Sequence, residues 1–189
     1  MQDKLTLEEQ QTLLRMAREA MTFRVKGEAL PPLDVSSLTE RLRADGASFV
    51  TLTMRGELRG CVGALEAYQP LAEDVREHAV AAALEDPRFP PVSERDLRAI
   101  QLEISRLTRP HPLEYKDAAE LLSKLKPRVD GVILRDDMRR ATFLPQVWKK
   151  IPQPDEFMDN LCYKVGANYD LWRKKHLEVL TYQVEEFHE

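Results

Sequence analysis

The stretch Thr51–Leu65, TLTMRGELRGCVGAL, decides the fold because it predicts a β-hairpin in the middle of a sheet. Apolar and polar residues alternate on both sides of Met54–Gly56, as they do in strands with one buried face. A three-residue loop with Gly56 in the left-handed region would pair Thr51 with Arg59 across the two strands. The hairpin therefore predicts which side chains share a face.

The predicted pairing gives the hairpin one apolar face and one face that carries a guanidinium and a thiol. Leu58 belongs to the apolar face, whereas Arg59 and Cys61 lie on the other face, roughly 6 to 7 Å apart along the strand. Gly60 and Gly63 lack side chains that would cover the backbone beside the thiol. Such bare backbone is typical of places where a ligand or another chain approaches closely.

Composition predicts one soluble globular domain that spans residues 1–189. A chain of 189 residues with 43% hydrophobic content can bury one sizeable core. The net charge of −4 arises from 28 basic and 32 acidic residues, which argues against general electrostatic binding to nucleic acid. No signal-like apolar N-terminus and no long apolar segment occur, so we expect a cytoplasmic protein without membrane contact.

The cysteines and histidines predict reduced thiols and no protein-bound metal centre. Cys61 and Cys162 are far apart in sequence, and Cys162 falls on the apolar stripe of a predicted helix, which favours a core position. The four histidines form no pair at metal-ligand spacing, and no CxxC occurs. A phosphate loop, a dinucleotide fingerprint and a CxxxCxxC cluster are also absent, so no cofactor can be named.

The remaining pattern predicts α+β structure in two related halves. Residues 46–106 and 130–187 share a plan of glycine, apolar strand, polar turn, arginine, second strand and proline-led helix. This plan suggests an internal pseudo-repeat, in which Thr142 or Phe143 stands where the first half has its thiol. The segment 179–187 is predicted to be a closing strand.

Several motifs resemble those of the AMMECR domain family, which includes the bacterial AmmeMemoRadiSam system proteins. RGCVG at Arg59–Gly63 is similar to the family's RGCIG signature, with Val62 in place of isoleucine. The similarity continues in order through DPRFPPV (Asp86–Val92), LEIS (Leu102–Ser105), DGVIL (Asp130–Leu134), RRATFLPQVW (Arg139–Trp148) and LCYKVG (Leu161–Gly166). The resemblance implies an α+β fold whose two halves form one curved, mainly antiparallel sheet with helices packed outside.

Cys61 is the candidate nucleophile, and Arg59 is the candidate group that activates it. A neighbouring guanidinium lowers the pKa of a thiol and can hold an anionic substrate. The alternative is that Cys61 packs as a small buried hydrophobic residue while Arg59 pairs with a structural carboxylate. His78, near an apolar helical stripe, is predicted to be a partly exposed or hydrogen-bonded structural histidine rather than a base.

The Asp86–Val92 motif and Glu103 supply the remaining candidate binding residues. Asp86 and Arg88 either fix the proline-rich loop through a salt bridge or, in the functional reading, Arg88 joins Arg59 in an anion pocket beside Cys61. Glu103 would face the same cleft from an adjacent strand. Gly60 and Gly63 complete the predicted site.

Three functions remain open at this point. The first is an enzyme or enzyme component of a modification pathway with Memo-like and radical SAM proteins as partners, which the family resemblance implies. The second is a protein-binding or scaffold module that uses the same surface. The third, nucleic-acid regulation, rests only on local basic clusters, and no nucleic-acid partner is expected.

Overall fold

A capping box begins the first helix of the computed structural model, which describes residues 4–189. The Thr6 hydroxyl accepts a hydrogen bond from the Glu9 amide at 3.2 Å, and the Glu9 carboxylate accepts one from the Thr6 amide at 2.8 Å. These two bonds satisfy amides that a helix start leaves without partners. The helix then buries Leu13, Ala17 and Met21 at helical spacing.

Six α-helices and nine strands follow one another within residues 4–189. In chain order they are α1 (Leu7–Val25), α2 (Glu40–Arg43), β1 (Asp45–Met54), β2 (Glu57–Gly63), β3 (Gln69–Pro70), α3 (Leu71–Leu84), β4 (Ile100–Leu107), β5 (His111–Pro112), α4 (Ala118–Lys124), β6 (Gly131–Asp136), β7 (Arg139–Phe143), α5 (Pro154–Lys164), α6 (Leu171–Lys174), β8 (Glu178–Tyr182) and β9 (Val184–His188). They belong to two compact units, one of residues 4–108 with Glu185–Glu189 and one of Arg109–Val184.

The first unit is built on a sheet in the order β2-β1-β4-β9, with β3 paired to the start of β1. β1 is antiparallel to β2 on one side and to β4 on the other. Val50, Leu52, Leu102 and Ile104 are fully buried in the hydrophobic cluster that also takes in residues of α1 and α3. One face of the sheet therefore carries the core of this unit.

The register of the β1–β2 hairpin differs from the predicted one. The loop contains two residues, Arg55 and Gly56, both with positive φ (54° and 83°), so Met54 pairs with Glu57. A β-bulge then shifts the pairing so that Thr51 faces Cys61, not Arg59. The bulge also changes which residues lie on the core side.

Leu58 shows the consequence of that bulge. The sequence assigns it to the apolar face, but its pairing partner is Thr53 and it is 42% exposed. The extra residue of a bulge breaks the strict alternation of faces along a strand. Gly60 takes the position opposite the buried Leu52 instead.

The second unit contains a sheet in the order β5-β8-β6-β7. Trp148 lies at the centre of its core, fully buried and stacked on Phe157 with ring centroids 3.7 Å apart. The Trp148 indole also donates a hydrogen bond of 2.7 Å to the carbonyl of Asp130. This bond fixes the residue that precedes β6.

The α+β class with mainly antiparallel strands is confirmed, whereas the strands form two sheets where the sequence predicts one. The predicted closing strand at 179–187 divides into β8 and β9, which lie in different sheets. The reason is that Val179 is buried in the second core and Phe187 in the first.

The two hairpins occupy equivalent places in their sheets. β1 and β6 are inner strands, and each pairs with the edge strand that follows it in the chain. Thr142, which faces Ile133, takes the place that Cys61 has opposite Thr51. The pseudo-repeat within a single 1–189 domain stays a prediction.

Candidate functional site

Cys61 lies on β2, the strand at one end of the first sheet, and its thiol is half-buried. Its partner on β1 is Thr51, whose hydroxyl donates a hydrogen bond to the Cys61 sulfur across 3.4 Å. The hydroxyl and the sulfur therefore lie on the same face of the sheet. Thr51 is thus a site residue that the sequence analysis did not single out.

The backbone of Cys61 is held on the outer side of β2 by two side chains. The Cys61 amide donates a hydrogen bond of 2.9 Å to the Asp86 carboxylate, and its carbonyl accepts one of 3.1 Å from the Arg88 guanidinium. Groups that point outward from an end strand normally remain open to pairing with another chain. Asp86 and Arg88 satisfy them here, as a neighbouring strand would.

Two hydrogen bonds also join the side chains of Asp86 and Arg88. Arg88 Nε donates to Asp86 Oδ1 at 2.9 Å, and Arg88 Nη2 donates to Asp86 Oδ2 at 2.7 Å. The Arg88 amide adds a third bond of 3.1 Å to Oδ1. Such a bidentate pair fixes the orientation of the guanidinium as well as its position. The salt bridge that fixes this loop is confirmed.

The electrostatics follow from these bonds. The Arg88 guanidinium, followed by the Cys61 amide, holds the pKa of Asp86 well below its usual value. Its pairing with Asp86 raises the pKa of Arg88, and contact with the Cys61 side chain raises it further. The Asp86 side chain is 3% exposed, whereas that of Arg88 is 55% exposed. The positively charged member of this ion pair therefore contacts Cys61 and still reaches solvent.

Arg59 is engaged elsewhere. Its guanidinium donates a hydrogen bond of 3.2 Å to the Pro91 carbonyl and lies 3.9 Å from the Asp96 carboxylate. Its side chain is only 12% exposed. These contacts tie β2 to the segment that follows the proline-rich loop, so Arg88 rather than Arg59 is the guanidinium with contacts to Cys61.

Gly60 and Gly63 are covered by other parts of the same chain. A Cβ on Gly60 would collide with the carbonyl oxygen of Ala82 in α3, and one on Gly63 would collide with the ring of Phe49. Both glycines therefore allow close packing within the first unit. They occupy the predicted positions beside Cys61, but the space above each is filled.

Glu103 lies in the same cross-strand row as the thiol. The register pairs Cys61 with Thr51 and Thr51 with Glu103 across three adjacent strands. Directly opposed residues of neighbouring strands project from the same face. Glu103 is half-buried, and its carboxylate has no hydrogen bond or ion pair with any residue in 4–189.

A second polar cluster lies within the core of the first unit. The Ser48 hydroxyl donates a hydrogen bond of 2.6 Å to the Asp74 carboxylate, and His78 Nδ1 lies 3.2 Å from the same oxygen. His78 is 6% exposed and in contact with Asp74, so of the two predicted settings, partly exposed or hydrogen-bonded, it has the second. The serine hydroxyl bonds to the carboxylate and not to the imidazole, unlike the arrangement in a serine nucleophile.

Neither a metal-binding cluster nor a membrane-spanning helix occurs among residues 4–189. Among residues 4–189, no group of three or more histidine, cysteine or acidic side chains is arranged to hold a metal ion. None of the helices in this part of the chain is long and apolar enough to cross a membrane. Cys162 is fully buried, as predicted, and burial raises the pKa of its thiol.

Comparison with known proteins places the chain in a family. The AMMECR1 family model matches residues 14–187. A protein of Thermofilum pendens is 37% identical over 97% of this chain and 91% of its own length, and one of Methanothermobacter thermautotrophicus is 36% identical over 98% and 96%. The crystal structure of uncharacterised protein PH0010 from Pyrococcus horikoshii is similar with a TM-score of 0.75 and 30% identity, covering 100% of this chain and 93% of that one. The chain belongs to the AMMECR1 family.

Proposed function

We propose that this protein is an enzyme, or the reactive component of an enzyme system, in a modification pathway, with Cys61 as its nucleophile. The observation that carries the proposal is the surroundings of the thiol. Thr51 donates a hydrogen bond to the sulfur, and the half-exposed guanidinium of Arg88 lies against the same residue. Both groups stabilise a thiolate, which is the reactive form of cysteine.

The roles of the neighbouring residues follow from their contacts. Asp86 positions Arg88 through the bidentate pair and positions Cys61 through its amide. Arg88 has capacity to bind an anionic group of the substrate because more than half of its side chain is exposed. The resemblance to AmmeMemoRadiSam system proteins motivates Memo-like and radical SAM proteins as partners of the reaction.

The proposal is tested by the pH dependence of iodoacetamide alkylation at Cys61, resolved by peptide mass spectrometry. Thiolate displaces iodide, so the rate follows the ionised fraction of the thiol. We expect the midpoint of the Cys61 profile to lie below about 8.5 and to rise in Arg88→Gln. Arg59→Gln is the matched control, because it removes the same charge from a side chain engaged by Pro91 and Asp96.

Cys162 supplies an internal reference, since its thiol is fully buried. A Cys61 that reacts as slowly as Cys162, or whose profile is unchanged in Arg88→Gln, would remove the nucleophile proposal. The protein would then be a binding or scaffold module that uses the same surface. That alternative predicts loss of complex formation with a Memo-like or radical SAM partner in Arg88→Gln without any change in thiol chemistry.

A further inference from the structure

We infer that the substrate of the Cys61 site is a small zwitterion, with a negative group and an ammonium group on opposite sides of its electrophilic atom. This inference rests on the proposed function. It comes from two groups on either side of the thiol: the Arg88 guanidinium, already paired with Asp86, on the outer side of β2, and the Glu103 carboxylate two strands inward. No other residue in the row between them carries charge.

The register sets the distance between the two ends of this row. Because the Cys61 amide and carbonyl bond outward to Asp86 and Arg88, the Thr51–Cys61 pair is the narrow, non-hydrogen-bonded kind. The Thr51–Glu103 pair is then the wide kind, and the Cα atoms of Cys61 and Glu103 are about 10 Å apart. A flexible glutamate side chain can cover part of that distance over the small Thr51.

Glu103 is the group that can receive the ammonium end of the ligand. A carboxylate only accepts hydrogen bonds, and one that has no partner within its own chain is open to a cation from a ligand. Glu103 has no hydrogen bond or ion pair among residues 4–189, and its oxygens are not among the buried side-chain atoms that lack a partner, so solvent and ligands can reach them. An ammonium group supplied by a ligand would provide both the charge and the donors.

Arg88 supplies the complementary end. Asp86 uses Nε and one Nη of the guanidinium, and the carbonyl of Cys61 takes a further bond. The remaining donors belong to a side chain that is 55% exposed, so they are accessible to a carboxylate or phosphate group. A substrate that meets both charges would place its central atom near the sulfur.

Three symmetrical disulfides test this arrangement without knowledge of the substrate. Cystamine carries ammonium groups, 3,3′-dithiodipropionate carries carboxylates, and 2-hydroxyethyl disulfide is neutral. In each reaction the Cys61 thiolate attacks one sulfur, a mixed disulfide forms, and the other half leaves as a thiolate that takes up a proton. Rates at Cys61 are measured in the folded full chain and, as a reference, in the chain unfolded by urea.

We expect cystamine to react with folded Cys61 about three to ten times faster, relative to the neutral reagent, than it does with the unfolded chain. Glu103→Gln should abolish this preference and leave the rate of the neutral reagent nearly unchanged. Glu57→Gln, which removes an exposed charge at the far end of β2, should keep the preference. We likewise expect 3,3′-dithiodipropionate to react with folded Cys61 faster, relative to the neutral reagent, than with the unfolded chain. Arg88→Gln should remove that preference.

Three results would overturn the inference: a cystamine preference that is absent, one that Glu103→Gln retains, or one that Glu57→Gln removes to the same degree. The neutral disulfide reports separately on the proposed function. If it reacts with folded Cys61 no faster than with the unfolded chain, the activated nucleophile fails. The effect of Glu103→Gln on the charge preference is still measured in that case.

Discussion

The Cys61 amide donates a hydrogen bond to the Asp86 carboxylate across 2.9 Å, although 25 residues separate the two in sequence. The same carboxylate accepts two bonds from the guanidinium of Arg88, which in turn donates to the Cys61 carbonyl. One ion pair therefore completes the hydrogen bonding of an end strand and places a positive charge beside its thiol. The salt bridge that fixes the loop thus leaves Arg88 beside Cys61, whereas Arg59, which the functional reading also places there, bonds to Pro91.

Replacement of Asp86 by asparagine should make the stability difference from wild type depend on pH. The folded pKa of Asp86 is lowered, chiefly by Arg88, so its ionised form stabilises the fold at neutral pH. That contribution is fully present above the unfolded pKa of about 3.9 and is lost as the pH falls through the lower folded value. We expect Asp86→Asn to lower the melting temperature by several degrees at pH 7.

The measurement is thermal unfolding of both proteins at a series of pH values from 7 to the lowest at which they remain folded. Their melting temperatures should converge as the pH falls below about 4. Glu94→Gln, at an exposed acidic position in the following segment, is the control and should change little. A constant gap between Asp86→Asn and wild type over the whole range would contradict the assignment of the effect to this ionisation.

Replacement of Gly60 by alanine should destabilise the first unit by about 3 kcal/mol, because the new methyl group meets the Ala82 carbonyl of α3. The matched variant is Gly27→Ala, where a Cβ meets nothing within 4 Å and only the positive φ of 75° is unfavourable. That strain costs about 1 kcal/mol. Urea unfolding followed by circular dichroism compares the two variants, and an equal or smaller loss for Gly60→Ala would be inconsistent with close helix packing.

Thr51→Val tests the hydrogen bond to the sulfur. Valine keeps the shape and strand preference of threonine but donates no hydrogen bond. Loss of a bond that favours the thiolate should slow alkylation of Cys61 at pH 7 about three- to tenfold. Thr53→Val, two residues further along the same strand, is the control and should react at the wild-type rate. Equal rates in all three proteins would remove Thr51 from the site.

The class of the fold and the position of the hairpin could be predicted because they depend on local patterns. Alternation in β1 and the capping box at Thr6 each involve residues close in sequence, and the structure contains both. The division into two sheets depends on which core receives Phe187 and Val179. Both residues are simply apolar positions in the sequence pattern, so the sequence alone could not assign each of them to one of the two cores.

The details of the site were harder to predict, because they depend on one bulge and one loop. A bulge near Leu58 and Arg59 has no distinctive sequence signal here, yet it determines that Thr51 faces Cys61. The choice of Arg88 over Arg59 depends on how the proline-rich loop folds back onto β2. Arg59 was predicted as the guanidinium beside the thiol because it is close to Cys61 in sequence. In the structure, Arg88 is the arginine that contacts Cys61.

Trp148→Phe should destabilise the second unit more than Trp172→Phe does. Both indoles donate a hydrogen bond of 2.7 Å, Trp148 to the carbonyl of Asp130 in the core and Trp172 to the part-buried carboxylate of Asp159. Phenylalanine at 148 can keep the aromatic contact with Phe157, but it leaves a buried carbonyl without its donor. We expect that change to cost about 2 to 3 kcal/mol.

The Asp159 carboxylate keeps a second partner when Trp172 is replaced, because the Arg173 guanidinium is bonded to the same oxygen. The cost of Trp172→Phe should therefore be about 1 kcal/mol smaller. Each variant leaves one tryptophan, and both tryptophans belong to the second unit, so fluorescence in a denaturant titration reports on that unit alone. If Trp172→Phe is the more damaging change, the bond from Trp148 to Asp130 does not stabilise the core as its burial suggests.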